Sequence, residues 1–227
     1  MIGLLKELKN MNLGQKIDLD NNDRERRIWF MSDLHYNHQN ILWINQKTRG
    51  DRFEDLDEMN QYIIKELKTK VGPDDYLFDL GDLIWKETAA EIKIFSDLLP
   101  VRSHRVLGNH DGKNLGAWGK TWKGVYDLLD LIIKKGGEDI RLTLSHYPIL
   151  DWNHRYRGAW NLHGHCHGGV DKLNEESGEL RLDIGFDSNI ASRTGSFLVS
   201  FEDVLAEMKK KVGGMGFRDW ANEKNRN

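Results

Sequence analysis

What most constrains this chain is a pattern that occurs five times: a short apolar run leads straight into a polar cluster of Asp, Asn or His. Ile28-Trp29-Phe30-Met31 runs into Ser32-Asp33-Leu34-His35, and Tyr76 to Leu80 runs into Gly81-Asp82. Val106-Leu107 leads to Gly108-Asn109-His110-Asp111, and Leu142 to Ser145 ends at His146. Trp160-Asn161-Leu162 leads to His163-Gly164-His165-Cys166-His167. Short apolar runs bounded by turn residues read as buried strands. In α/β sheets, ligands collect beyond the carboxyl ends of the strands, so five such ends can deliver their polar residues to one site.

Between these runs, Leu56, Met59, Ile63, Leu67 and Val71 recur at three- and four-residue steps. That stripe predicts a helix over 56–71, started by Asp55 or Glu54 and ended by Gly72-Pro73. Further helices are expected over 87–99, stopped by Pro100, and over 202–212. Leu180 to Ile184 and Phe197 to Phe201 read as half-buried strands with alternating faces. Residues 18–27 (DLDNNDRERR) read as a charged linker unable to pack a core. Leu4, Leu5 and Leu8 suit one side of a short surface helix. The tail from Gly213 is Gly-rich, then polar, and is expected to be partly disordered. The division that follows is an N-terminal extension over 1–25, a single domain over 26–212 and a C-terminal tail over 213–227.

Charge and cysteine content narrow the function classes. The 33 basic and 36 acidic residues leave a formal net charge of -3, which gives no electrostatic footprint for tight, nonspecific nucleic-acid binding. A phosphorylated substrate therefore needs a local positive centre, which bound metal ions supply. Cys166 is the single cysteine, so neither an intramolecular disulfide nor a structural zinc site of the Cys type is possible. The N-terminal apolar run is too short for a signal peptide or membrane span, and a reducing cytoplasmic setting without membrane partners is the expectation.

The strand-end residues Asp33, His35, Asp82, Asn109, His110, His146, His165 and His167 are all nitrogen or oxygen ligands. Such a mix suits Mn, Fe, Zn or Ni better than Ca or Mg. Asp33 and His35 lie two apart, as do His165 and His167. In an extended segment residues so spaced share a face and reach one ion. One carboxylate, such as that of Asp82, can bridge two cations with its two oxygens. Singly these motifs are weak, since a Gly-Asp after a strand is more often a plain turn. The ordered set is far more specific.

That set, Asp33-Leu34-His35, Gly81-Asp82, Gly108-Asn109-His110-Asp111, His146 and Gly164-His165-Cys166-His167, resembles the five motifs of the calcineurin-like metallophosphoesterase superfamily. SDLHYNHQNIL over 32–42, Ser145-His146-Tyr147-Pro148 and NLHGHCH over 161–167 are most similar to small stand-alone bacterial and phage members. The resemblance implies an α/β four-layer sandwich of two mixed β-sheets flanked by helices. It implies two divalent ions, manganese favoured: Asp33, His35 and His167 at the first, Asn109, His146 and His165 at the second, Asp82 bridging. It gives His110 the part of general acid and Asp111 that of orienting His110. His38 is a candidate contact to substrate phosphate. The implied activity is hydrolysis of a phosphate ester by a metal-bridging hydroxide.

Leu83-Ile84-Trp85-Lys86 follows Gly81-Asp82 where the protein Ser/Thr phosphatase branch has Asp-Arg-Gly, and Asp111 stands where that branch has Glu. This departure favours a small phosphodiester or nucleotide-type substrate over a phosphoprotein. Two rivals belong to other classes: a non-catalytic metal-binding scaffold, which would typically have lost ligands, and a nuclease, which would carry a basic stripe. Arg49, Arg52, Arg155 and Arg157 are candidate phosphate ligands, although lone arginines are mostly solvated. Trp118, Trp122, Trp152 and Trp160 suit stacking on a base less well than packing in the core.

Overall fold

The structure is a computed structural model and describes residues 15–20, 26–112 and 115–225. Two five-stranded mixed sheets stack face to face, flanked by helices, as the four-layer expectation required. One sheet runs β10(Val199–Ser200), β2(Ile28–Met31), β3(Tyr76–Asp79), β4(Arg102–Val106), β5(Gly124–Tyr126), parallel except for β10. The other runs β1(Gln15–Asp20), β6(Leu128–Lys135), β7(Glu138–Ser145), β8(Trp160–His163), β9(Arg181–Asp183), with β6 and β7 its antiparallel pair.

Burial on both faces explains why β2 is apolar without interruption. Phe30 enters the core between the sheets with Phe78, Leu144, Trp160 and Leu162, while Trp29 and Met31 pack outward with Met59, Ile63 and Leu67 of the helix Leu56–Lys70. That helix begins where expected: the Asp55 side chain accepts from Glu58 N–H at 2.8 Å. Ala89–Leu98 opens with a capping box between Thr88 and Glu91, and Phe201–Lys211 with one between Ser200 and Asp203.

Three expectations change. Residues 18–20, read as the start of a charged linker, belong to a strand: β1 pairs in parallel with β6 from Gln15↔Leu129 to Asp20↔Lys134, and Leu19 is buried. The charges of β1 alternate with Ile17 and Leu19, so an edge strand gains one apolar face despite its composition. The tail forms a helix, Phe217–Lys224, with Phe217 edge-on to Trp160 at 4.9 Å and Lys224 paired with Glu179 at 3.0 Å. Residues 181–183 and 197–199 are buried throughout rather than alternating: Leu182 and Val199 join the core between the sheets, while Phe197 and Leu198 pack in the outer cluster with Trp29 and Met59. The four tryptophans Trp118, Trp122, Trp152 and Trp160 are buried, in line with packing in the core over stacking on a base. The surface helix expected around Leu4, Leu5 and Leu8 falls outside the described residues.

Candidate metal centre

The expected ligands converge because the parallel strands β2, β3, β4, β7 and β8 all point their carboxyl ends toward one edge of the sandwich. Backbone bonds lock the loops together. Asp33 N–H donates to Gly81 O at 2.9 Å, His35 N–H to Asp82 O at 2.9 Å and Gly164 N–H to His146 O at 3.0 Å. Across the two sheets, His165 N–H donates to the Asp33 carboxylate at 2.9 Å.

The pairs two apart reach the site by a different route from the one expected. Asp33, His35, His165 and His167 are not extended; they adopt left-handed backbone, with φ of 57°, 48°, 70° and 48°. Asp82 has φ 57° as well. Left-handed non-glycine residues cost energy and collect at functional sites, where surrounding bonds hold them. Close packing of the loops also explains two glycines. A Cβ on Gly81 (φ 105°) would sit 2.6 Å from Gly108 N and 2.7 Å from His146 Nδ1. One on Gly185 would sit 2.7 Å from an Asp33 oxygen.

Lone-pair-bearing oxygens and nitrogens crowd the centre with few hydrogen-bond donors to match. His146 Nδ1 lies 2.8 Å from Leu80 O. A carbonyl only accepts, so Nδ1 carries hydrogen. The opposite nitrogen, Nε2, then faces Asn109 Oδ1 at 3.0 Å and Asp82 Oδ2 at 3.4 Å. Asp82 Oδ2 is also 3.7 Å from His35 Nε2, while its Oδ1 accepts from His110 N–H at 2.8 Å. Asp33 Oδ1 and both ring nitrogens of His35 are buried and have no hydrogen-bond partner. Ligand atoms of Asp33, His35 and His167 lie within 4.8 Å of one another, as do those of Asp33, Asp82 and His146. Such a set calls for positive charge, and divalent cations fit it. Both groupings contain Asp33.

Protonation follows the same logic. Burial pushes the Asp33 carboxyl up, against the pull of His167 and His146. Burial, then Arg49 and His167, lower the His35 imidazole to about 2, leaving it neutral with a lone pair to offer. For His146, burial acts downward, but the Asp82 hydrogen bond and the Asp33 charge raise it to about 9. That proton occupies the place of a cation, and metal binding would release it.

His110 is exposed at the rim, its ring 5.3 Å from that of His35 and 4.8 Å from that of Trp85. Asp111 does not face His110. Its carboxylate pairs with Arg105 and accepts from Gly108 N–H at 2.7 Å and Asp82 N–H at 3.2 Å, bracing the turn instead. His38 is buried and stacked on Trp85 at 3.9 Å and 11°, beside the site rather than on the open surface. His163 points away from the cluster, its Nε2 facing Asn174 Nδ2 at 3.0 Å. Tyr147, half exposed, lies 4.4 Å from the His165 ring.

Sequence reasoning missed a sixth strand end. After β9, Asp187 reaches back to His167 Nδ1 at 2.7 Å. Arg49, expected to be solvated or to bind phosphate, is fully buried against Asp187. The signal was present: Leu182-Asp183-Ile184 followed by Gly185-Phe186-Asp187 repeats the strand-then-polar pattern.

The chain is similar to several known proteins. A gene 66 protein of Mycobacterium phage L5 is 26% identical over 184 residues, covering 70% of this chain and 86% of its own. An uncharacterized protein of Methanocaldococcus jannaschii is 30% identical over 143 residues, covering 63% of this chain and 70% of its own. A solved structure, a protein of unknown function from Aquifex aeolicus, superposes with a TM-score of 0.56 at 25% identity, over 80% of this chain and 98% of that one. The profile described as calcineurin-like phosphoesterase matches residues 26–189, the span that holds every strand end of the site. The chain belongs to the calcineurin-like phosphoesterase family.

Proposed function

We propose that the protein hydrolyses phosphodiesters of small or nucleotide type at a centre of two divalent ions, manganese favoured. The observation that carries the reading is the buried cluster in which His35 Nε2 and His146 Nε2 flank Asp82 Oδ2 and Asn109 Oδ1 faces His146 Nε2, while Asp33 Oδ1 and both His35 ring nitrogens have no hydrogen-bond partner among the described residues. The family's chemistry is metal-dependent phosphoester hydrolysis, and these residues supply ligands for it.

Asp33, His35 and His167 would hold one ion and Asn109, His146 and His165 the other, with Asp82 between them. Divalent cations bound there neutralise phosphoryl oxygens and acidify the attacking water. His110 is placed to protonate the departing oxygen: its backbone N–H is fixed on Asp82 Oδ1, and its exposed ring projects at the rim. His38, stacked on Trp85, stands on the same flank within reach of a substrate phosphate. Trp85 lies beside His38 and His110 on that flank, and Tyr147 lies beside His165 on the other. Aromatic rings on both flanks suit a diester, which carries a group on each side of phosphorus.

The test is a substrate panel on metal-reconstituted protein: nitrophenyl mono- and diesters, cyclic nucleotides, dinucleotides and short oligonucleotides. Turnover led by small diesters supports the reading. Turnover confined to oligonucleotides, with steep salt dependence, would favour the nuclease. Metal binding without turnover of any ester would favour the scaffold. No helix among the described residues is long and apolar enough to cross a membrane. A cytoplasmic location is part of the same proposal.

A further inference from the structure

We infer that Asp187 and Arg49 form a clamp that fixes the ring of His167 for a cation and ties together the two loops that carry the first metal position. The inference rests on the metal-centre reading above and assigns positioning roles to two residues outside its ligand set.

Two groups face His167 Nδ1, the Asp187 carboxylate with Oδ2 at 2.7 Å and the Asn45 amide Nδ2 at 2.8 Å. An ionised carboxylate that close only accepts, so the hydrogen belongs on Nδ1 and the Asn45 amide donates to Asp187 instead, at 2.7 Å. The lone pair is then left on Nε2, which lies 3.9 Å from Asp33 Oδ1. A carboxylate behind a ligating imidazole both fixes its tautomer and increases its basicity.

Arg49 explains how a carboxylate can be kept there. Its guanidinium meets Asp187 through Nε at 2.9 Å and Nη2 at 2.7 Å, a bidentate pairing. The remaining donors reach Leu34 O at 2.8 Å and Asp33 O at 2.5 Å. The arginine thus spans from the loop after β2, which carries Asp33 and His35, to the residue that holds His167. Thr48 Oγ1 and Asn45 Nδ2 complete the shell of Asp187, at 2.5 Å and 2.7 Å. Phe186 covers the guanidinium at 4.0 Å and excludes water from the pair. The left-handed backbone at Asp33 is held from behind by the Arg49 bond to its carbonyl. No comparable carboxylate backs His146, whose Nδ1 meets only a backbone carbonyl.

The experiment titrates zinc alone into chelator-stripped protein by calorimetry, with elemental analysis after dialysis, for wild type and Asp187→Asn. The expected result is two ions in the wild type and a loss of about 10–100-fold in affinity for one of them in the variant. Unchanged affinities, or equal weakening of both ions, would overturn the clamp. A wild type that binds a single ion would sink the two-ion reading instead, and the clamp would then stand or fall on whether Asp187→Asn weakens that ion. Should Asp187→Asn fail to fold, long-range proton–nitrogen spectra of the zinc-loaded wild type decide, with His167 assigned by a His167→Gln sample. Hydrogen on Nδ1 is expected, and hydrogen on Nε2 would overturn the inference.

Discussion

Arg105 pairs with Asp111 across the turn that presents Asn109 and His110. The same guanidinium lies 3.3 Å from Asp79 and 2.9 Å from Glu87, beneath the rings of Trp118 and Trp122. Burial pushes Asp79 up to about 8 even with Arg105 beside it. One buried cation therefore organises two carboxylates, Glu87 and Asp111, beside the protonated carboxyl of Asp79, and Asp111 holds the backbone N–H groups of Gly108 and Asp82.

Replacing Arg105 by Leu leaves those carboxylates buried without their partner. Removing one member of a buried ion pair typically costs about 3–5 kcal/mol. Urea denaturation of the Arg105→Leu variant should show a loss of that order. An unchanged midpoint would mean that the carboxylates are held by something else.

His110→Ala should keep the fold and the metal content, because its ring is exposed and Asn109, not His110, faces His146. Activity on esters with poor leaving groups should fall by about 10²–10⁴-fold. Nitrophenyl esters, whose leaving group departs without a proton, should be far less affected. Equal losses on both would argue for phosphate positioning in place of acid catalysis.

Chelation should abolish turnover, and added manganese should restore it, with two ions per chain by elemental analysis. Asp82→Ala should retain fewer than two, since the Asp82 carboxylate lies between His35 and His146. An Asp82→Ala protein that still holds two ions would shift the bridging part to Asp33.

Stability should fall with acid in a defined window. Burial, aided by Lys123, lowers His104 to about 4, and burial lowers His163 to about 4 as well. The unfolded chain takes up protons on these rings below ~6.5 while the folded chain does not. Their contribution is therefore full above that value, falls as pH drops toward 4 and changes no further below it. Asp171, raised to about 7 chiefly by burial, slopes the opposite way between ~3.9 and 7, so a comparison of variants is needed. His104→Phe will lose the bond to the Tyr126 hydroxyl at every pH. Only the difference in slope between wild type and variant, from denaturation at pH 4.5, 5.5 and 7, carries the test. Parallel curves would contradict it.

A chain starting at Arg26 should keep its metals and its turnover per folded molecule, because β1 sits at the far edge of its sheet from β8 and β9. It should be less stable, since burial of Leu19 alone is worth about 1.5–3 kcal/mol. A folded, metal-loaded truncation without activity would show that the segment builds part of the site.

Most of the site was legible because its ligands are local. Each follows a strand within a few residues, and the ordered chain of Asp33-Leu34-His35, Gly81-Asp82, Gly108-Asn109-His110-Asp111, His146 and Gly164-His165-Cys166-His167 specifies both family and ligand types. The helix Leu56–Lys70 was legible for the same reason, its apolar period and its Asp55 cap lying within one segment. What the tertiary structure alone decided are the relationships between residues far apart in the chain. Asp187 and Arg49 are separated by 138 positions, so no local pattern marks them as a pair, and a lone arginine reads as solvated until a buried carboxylate is found beside it. Asp111 reads as a partner for its neighbour His110 until the fold turns its carboxylate toward Arg105. The β1 strand looks too charged to pack because only its pairing with β6 turns Leu19 inward. Sequence fixes which groups a segment offers, whereas burial and pairing, which set their charge and direction, depend on what the rest of the chain brings against them.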